Sequence, residues 1–473
     1  MGLLRDSLKG SITLSAGQAV SYLCSFVRLM IFARIMERAD FGTAATFTLV
    51  IGVLEMGCNM SLNIVVVQAK DGNRPSFQAT CHALQIMRGV FMALVLMLCA
   101  PLVADLFGVP HARWAFATLA LVPLLRGFNH LDTNRVERKL NFAPRVLTEL
   151  LPQLVVTLAA LPVTYWLRDY TAALWLLMAK SAMTLAATHM MASRPYRLSW
   201  QYDHFVRVFR FGWPLLLNGL FLTFMTQGDQ FVTGTFYGIT DLATYSVAVA
   251  LATACTTALA QVTNPLFLPI LSRVQQDSDS LVVRYKDAIR THVLLAALVG
   301  PFFILLGESA VVVLYGEKYR AAGILIAWIG AAQALKLIRI GTQLPALAKG
   351  DTVALLISNM VGIIGFAFAL VFGLFNLPLT WIAASAVVGE LAALAVTVQQ
   401  LLSRHGLRRG ICYRTSLLAI AGMIAASAII ATVQRAPAPL LQCLLMGLWT
   451  TVCAGVAYGW FGKPIARNSA EVI

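Results

Sequence analysis

Twelve ionisable side chains stand inside otherwise apolar stretches of this chain: Arg28, Glu55, Arg88, Arg126, Glu149, Lys180, His189, Asp229, Glu308, Lys336, Arg339 and Glu390. A charge at the centre of a bilayer costs about 3 kcal/mol or more, so such groups face a water-filled space or one another. Six are cations: Arg28, Arg88, Arg126, Lys180, Lys336 and Arg339. Guanidinium forks and ammonium point charges recognise phosphate and pyrophosphate oxygens, and these six are the candidates for binding an anionic headgroup. The competing reading is that Arg88, Arg126 and Arg339 lie close enough to a membrane edge to snorkel to water. Lys336 and Arg339 are three residues apart and share a helix face. Arg28 and Lys180 fall nearer mid-span. Glu55 and Glu390 are candidates for a proton or cation that couples to transport.

The elements that must hold these groups are membrane helices. The 473 residues are 59% hydrophobic and 12% charged, with a mean hydropathy of +0.76. Apolar stretches of about 20 residues, each long enough to cross ~30 Å of hydrocarbon, recur down the chain. They are continuously apolar and not alternating, which excludes a membrane β-barrel. The expected class is an all-α polytopic membrane protein with fourteen spans, at 11–33, 43–68, 83–104, 113–130, 144–166, 171–192, 209–236, 243–268, 289–314, 321–343, 353–374, 379–402, 413–433 and 438–461.

The loops carry a strong charge asymmetry. The N-terminus, the even-numbered loops and the C-terminal tail hold 23 Lys and Arg; the odd-numbered loops hold 7. The positive-inside rule then puts both termini in the cytoplasm. The net charge of +15 therefore reads as topology, and no nucleic-acid partner is expected. Stretch 22–47 overlays 223–248 without a gap at an offset of 201, and Leu106-Phe-Gly108 echoes Leu314-Tyr-Gly316. These echoes predict two pseudo-symmetric six-helix lobes. The expected organisation is an N-terminal lobe over 1–192, a cytoplasmic connector over 193–208, a C-terminal lobe over 209–402, and the last two helices and tail over 403–473. Arg28 and Asp229 occupy equivalent positions of the repeat, which makes them a candidate gating pair. The bland alternative caps Asp229 with Thr226, Gln230 or backbone.

No catalytic constellation is present. The sequence has no GxxxxGK[ST], no GxGxxG opening a helix and no HExxH. The eight cysteines form no CxxC and no Cys/His spacing, so no metal and no cofactor is expected.

The run Arg28-Leu-Met-Ile-Phe-Ala-Arg-Ile-Met-Glu-Arg-Ala-Asp-Phe-Gly42 resembles the first hairpin of the Wzx-like polysaccharide flippases of the multidrug/oligosaccharidyl-lipid/polysaccharide exporter superfamily. Glu55-Met-Gly57 with Val66-Val-Gln68, and the basic stretch Asn134-Arg-Val-Glu-Arg-Lys-Leu-Asn-Phe142, resemble that family's second helix and the loop after its fourth. Phe211-Gly-Trp-Pro214, Asn218, Asp229, Tyr245 and Leu314-Tyr-Gly-Glu-Lys-Tyr319 resemble its second half. The chain departs before Tyr245, where the family's usual glycine is replaced by Ala243-Thr244. The resemblance covers about residues 1 to 400. It implies a bacterial inner-membrane flippase that turns an oligosaccharide on undecaprenyl pyrophosphate to the outer leaflet by alternating access, for O-antigen, capsule or exopolysaccharide assembly. The implied partners are that lipid-linked oligosaccharide, membrane lipids, and a polymerase and other assembly proteins.

Four rivals follow, one of them a scaffold subunit of a biosynthetic complex, which would need no intramembrane cations. A cation-coupled multidrug exporter of the superfamily calls for an acidic aromatic cavity, whereas this set leans basic. A lipid II flippase takes the same headgroup. A membrane-embedded polysaccharide polymerase or ligase needs large outward loops, and those here are a handful of residues each, so no enzyme is expected.

Overall fold

The computed structural model describes residues 2–58, 61–69, 71–138, 141–405 and 439–461, and among them there are helices and no strand. In chain order the α-helices are α1 (Gly2–Ile35), α2 (Arg38–Gly57), α3 (Leu62–Gln68), α4 (Pro75–Leu106), α5 (Arg113–Leu119), α6 (Leu121–Gly127), α7 (Asp132–Glu137), α8 (Ala143–Leu167) and α9 (Thr171–Met190). They continue as α10 (Tyr202–Phe236), α11 (Ile239–Arg273), α12 (Ser278–Tyr315), α13 (Ala322–Ala348), α14 (Thr352–Gly362), α15 (Ile364–Leu374), α16 (Leu379–His405) and α17 (Pro439–Phe461).

Ten spans among the described residues are long and apolar enough to cross a membrane. The chain is a multi-pass membrane protein. Its outer surface is apolar: Leu98 and Leu158 are each 78% exposed and Trp166 is 84% exposed. A helix facing lipid needs no polar outer face.

The expected fourth span is broken at Ala120 into α5 and α6, and the second into α2 and α3 around Cys58 and Ser61. Neither half of the fourth span is long enough alone. The seventh falls on α10, whose N-terminal turns hold Asp203, Arg207 and Arg210. The expected span 413–433, with Cys412, Arg408, Arg409, Arg414 and Arg435, and the tail residues Lys463 and Arg467, lie outside the described residues. The echo between Leu106-Phe-Gly108 and Leu314-Tyr-Gly316 has a backbone counterpart: α4 and α12 both run into glycines with positive φ, +66° at Gly108 and +100° at Gly316.

The chain divides into two compact units. The first comprises Met1–Ala250, Leu314–Lys318 and Phe366–Ile382; the second comprises Leu251–Val313, Tyr319–Gly365 and Ala383–Ile473. In the first, α8 packs on α1 and α9, while α4 packs on α5 and α6. In the second, α13 packs on α14.

Candidate functional site

Helices α4 and α6 meet where Gly89 backs onto Gly127. A Cβ added at Gly89 would stand 2.7 Å from the Gly127 Cα and 2.8 Å from the Pro123 carbonyl oxygen, so the crossing admits no side chain. The residues just before these glycines are Arg88 and Arg126, and the crossing brings them together. Gln85, one turn earlier on α4, donates its Nε2 to the carbonyls of Arg126 and Asn129, both at 3.0 Å. Those carbonyls lie at the end of α6, where a helix leaves its acceptors unsatisfied.

Arg126 donates its Nη1 to Glu55 Oε1 on α2, in an ion pair whose side chains are 28% and 35% exposed. Arg88 lies within electrostatic reach of Glu55 and Arg126, and its Nε is buried without a partner. From α9, Lys180 lies within reach of Arg28 on α1, of Arg126, of Glu149 on α8 and of Glu55. Glu149 is exposed and also accepts from Arg145 at 3.3 Å. Three of the six expected cations, Arg88, Arg126 and Lys180, thus lie within reach of Glu55 in the first unit, Lys180 also within reach of Glu149, and Arg28 lies within reach of Lys180. Arg28, Arg88 and Lys180 are half-buried, and their charged groups make no hydrogen bond or ion pair among the described residues.

Lys336 and Arg339 lie in the second unit. Arg339 is buried and paired bidentately with Glu390, Nε to Oε2 at 2.8 Å and Nη2 to Oε1 at 3.2 Å, with Nη1 to Asn359 Oδ1 at 3.3 Å. This pair too sits beside a glycine crossing: a Cβ at Gly389 would stand 3.0 Å from the Gly365 Cα. Gln343, Ser358 and Thr397 extend the polar network inward from Asn359's helix. Asp229 accepts the Tyr245 hydroxyl at Oδ2, 2.7 Å, and the Gln230 N–H at Oδ1, 2.8 Å.

The family-like motifs have structural work of their own. Arg135 binds Asp132 at 2.5 Å, Arg138 donates to the Val66, Val67 and Ala69 carbonyls that end α3, and Glu137 accepts from Arg145 at 3.1 Å. Arg34 Nε donates to the Leu314 carbonyl at 2.8 Å, while Lys318 Nζ donates to the carbonyls of Arg34 and Met36. Cations from the two motifs thus cap each other's helix C-termini.

Sequence reasoning did not join three histidines that the fold stacks together. The ring centroids of His82 and His130 are 4.8 Å apart, those of His130 and His189 5.3 Å, and Tyr196 stacks on His82 at 4.3 Å. Leu131 N–H donates to His82 Nε2 at 3.1 Å, so the His82 proton sits on Nδ1 and is given to the Arg197 carbonyl at 3.2 Å. Asp132 N–H donates to His130 Nδ1 at 3.0 Å, leaving His130 Nε2 to donate to the Arg194 carbonyl at 3.0 Å. Both rings therefore act as neutral bridges that fasten the segment after α9 to α4 and to the loop before α7. Burial pushes the His130 pKa down. Burial alone would raise that of Asp132, but the Arg135 hydrogen bonds and the Ser193 N–H hold it below the usual carboxylate value. Burial pushes the Tyr196 hydroxyl up to about 12. Among the described residues no group of His, Cys, Asp and Glu could hold a metal ion.

Comparison with known proteins gives a family and a fold. A family model described as polysaccharide biosynthesis protein matches residues 31–323. No curated protein matches the sequence. Among solved structures, the lipid II flippase MurJ in an inward closed conformation matches with a TM-score of 0.71 at 13% identity, over 96% of this chain and 100% of that one. A multidrug resistance MATE family transporter of the MOP superfamily, inward-facing, matches with a TM-score of 0.65 at 13% identity, over 88% and 96%. A MOP superfamily transporter from Pyrococcus furiosus matches with a TM-score of 0.56 at 14% identity, over 91% and 96%.

Proposed function

The chain belongs to the polysaccharide biosynthesis protein family, and from that premise we propose that it is a flippase for a lipid-linked oligosaccharide, with no covalent chemistry of its own. The passenger is an oligosaccharide repeat unit on undecaprenyl pyrophosphate, turned across the bacterial inner membrane for O-antigen, capsule or exopolysaccharide assembly. The observation that carries the reading is the set of unpaired cations in the first unit. Arg28, Arg88 and Lys180 come from three helices, stand half-buried, and lack counter-ions of their own. Unpaired, such charges cost several kcal/mol; a phosphorylated headgroup supplies the missing negative charge.

With Glu55 paired to Arg126 and Glu149 to Arg145, the charges of Arg28, Arg88 and Lys180 are in excess, which suits a pyrophosphate. A headgroup binding there competes with Glu55 for Arg126 and frees a carboxylate to take up a proton or cation. A cationic drug finds the wrong sign at this site, which disfavours a multidrug exporter. The expected orientation has both termini in the cytoplasm, and the expected six-helix lobes rock about the site. In the state described, Asp229 is engaged by Tyr245, so an Arg28–Asp229 pair belongs to another conformer.

Deleting the gene tests the function. Lipid-linked repeat units should accumulate on the cytoplasmic leaflet, and the wild-type gene should clear them while Arg28→Ala and Lys180→Ala should not. Undiminished glycan export in the deletion strain would overturn the reading. A deletion that instead strands lipid II would assign the peptidoglycan precursor as cargo.

A further inference from the structure

The segment that follows α9 alternates basic and aromatic residues: Arg194, Tyr196, Arg197, Trp200, Tyr202, Phe205, Arg207, Phe209, Arg210, Trp213. Its first part, 193–200, has no helix, yet its backbone is fixed at four points. Ser193 N–H donates to Asp132 Oδ2 at 2.8 Å, the Arg194 and Arg197 carbonyls accept from His130 and His82, and Ser199 N–H reaches the Ala79 carbonyl at 3.5 Å. Arg194 is half-exposed and Arg197 exposed.

Between them and the start of α4 lies a cavity of about 210 Å³, lined by Pro75, Gln78, His82, Arg194, Pro195 and Arg197 among others. It has room for a phosphate with its ester oxygens. Arg194 is oriented by Asn73, donating to its carbonyl at 2.8 Å and its Oδ1 at 3.2 Å. The Arg197 guanidinium has no hydrogen bond or ion pair among the described residues. Of the acidic groups nearby, Asp132 is held by Arg135 and Asp71 by Arg207 at 2.6 Å, so neither neutralises the rim.

Beside the cavity the chain offers an apolar ledge. Leu198 and Trp200 are exposed, and α10 begins with a stripe of exposed Tyr202, Val206, Phe209 and Trp213, spaced four, three and four residues apart on one helix face. Arg207 and Arg210 flank the stripe and are exposed. Exposed aromatics next to arginines at the start of a membrane helix match the interface between headgroups and acyl chains.

We propose that this cavity and ledge form a binding site for an anionic membrane phospholipid, with the phosphate held between Arg194 and Arg197 and the acyl chains lying along Trp200 and the α10 stripe. The site is separate from the transport cations, and its ligand is a resident lipid and not the cargo. It holds the segment between α9 and α10 against the membrane surface on the side of the bilayer where the basic loops gather.

The test titrates the full chain in detergent with dioctanoyl phosphatidylglycerol, dioctanoyl phosphatidylcholine and inorganic phosphate, reading retained adducts by native mass spectrometry. The wild type should prefer phosphatidylglycerol to phosphatidylcholine, and Arg197→Gln should weaken phosphatidylglycerol about fivefold, the contribution of one basic residue at a membrane surface. Arg168→Gln, on another exposed arginine, should leave it unchanged. Trp200→Ala should weaken both lipids, which keeps the test decisive if Arg197→Gln folds poorly. No preference for phosphatidylglycerol, a preference undiminished by Arg197→Gln, or binding of both lipids unchanged by Trp200→Ala overturns the proposal. Inorganic phosphate binding as tightly as phosphatidylglycerol overturns it in favour of a soluble-anion site. A chain that fails in glycan export yet passes here separates this site from the transport reading.

Discussion

Two ion pairs of the same composition sit in the two units and differ in what surrounds them. Arg126–Glu55 is about one-third exposed and stands among cations without partners of their own. Arg339–Glu390 is sealed at 6% and 12% side-chain exposure, bidentate, and backed by Asn359. Each is seated beside a glycine crossing, Gly89 on Gly127 and Gly365 on Gly389. The scaffold device is shared, so the difference lies in solvent access and local charge balance. A sealed, balanced pair resists exchange and fixes one packing; a partly open pair in a cationic surround can trade its carboxylate for a ligand's phosphate.

Removing one partner from each pair should therefore have opposite consequences. The largest effect on stability is expected from Glu390→Ala, which strands a buried guanidinium at a cost of about 3–5 kcal/mol. Denaturation in detergent should show it, and Arg339→Met with Glu390→Leu should recover most of the loss. Gly89→Leu comes next. It forces α4 off α6, costs about 1–3 kcal/mol from overpacking, and separates Arg88 from Arg126, so export falls more than stability does. Glu55→Ala should change stability by no more than about 1 kcal/mol, because its pair is partly solvated, while export drops sharply. Equal stability losses for Glu55→Ala and Glu390→Ala would erase the distinction between the two pairs.

The smallest effect concerns the histidine bridges. Burial lowers the folded His130 pKa, so the folded form binds fewer protons than the unfolded one. Its stabilising contribution is complete above the ordinary histidine value of about 6.5 and is lost as pH falls through the depressed folded value. At the amides of Leu131 and Asp132, which donate to His82 and His130, hydrogen-exchange protection relative to the intrinsic rate at each pH should be high at neutral pH and fall in acid. Unchanged protection across that range would contradict the neutral-bridge assignment.

Much of the fold was legible because lipid-facing helices need only continuous apolarity, and the long described helices fall on the expected spans apart from the breaks at Ala120, around Cys58 and at Ile363. The cations were legible as residues, since a charge in an apolar run stands out. Their partners were not. Arg126 and Glu55 are 71 positions apart, and Arg339 and Glu390 are 51 apart, so no local spacing joins them. A usable signal was present in the neighbours: Arg88-Gly89, Arg126-Gly127 and Gly389-Glu390 each put a glycine next to an intramembrane charge. The histidine cluster had no such mark, because His82, His130 and His189 are brought together only by the folding of three separate segments.

The central claim is that the unpaired cations of the first unit hold a pyrophosphate headgroup. Calorimetric titration of the purified chain with farnesyl pyrophosphate and farnesyl monophosphate tests it directly. The account predicts tighter binding of the pyrophosphate, a loss of about tenfold for Arg28→Ala and again for Lys180→Ala, and weakening with added salt. Affinity that is the same for both lipids and untouched by either substitution would contradict it.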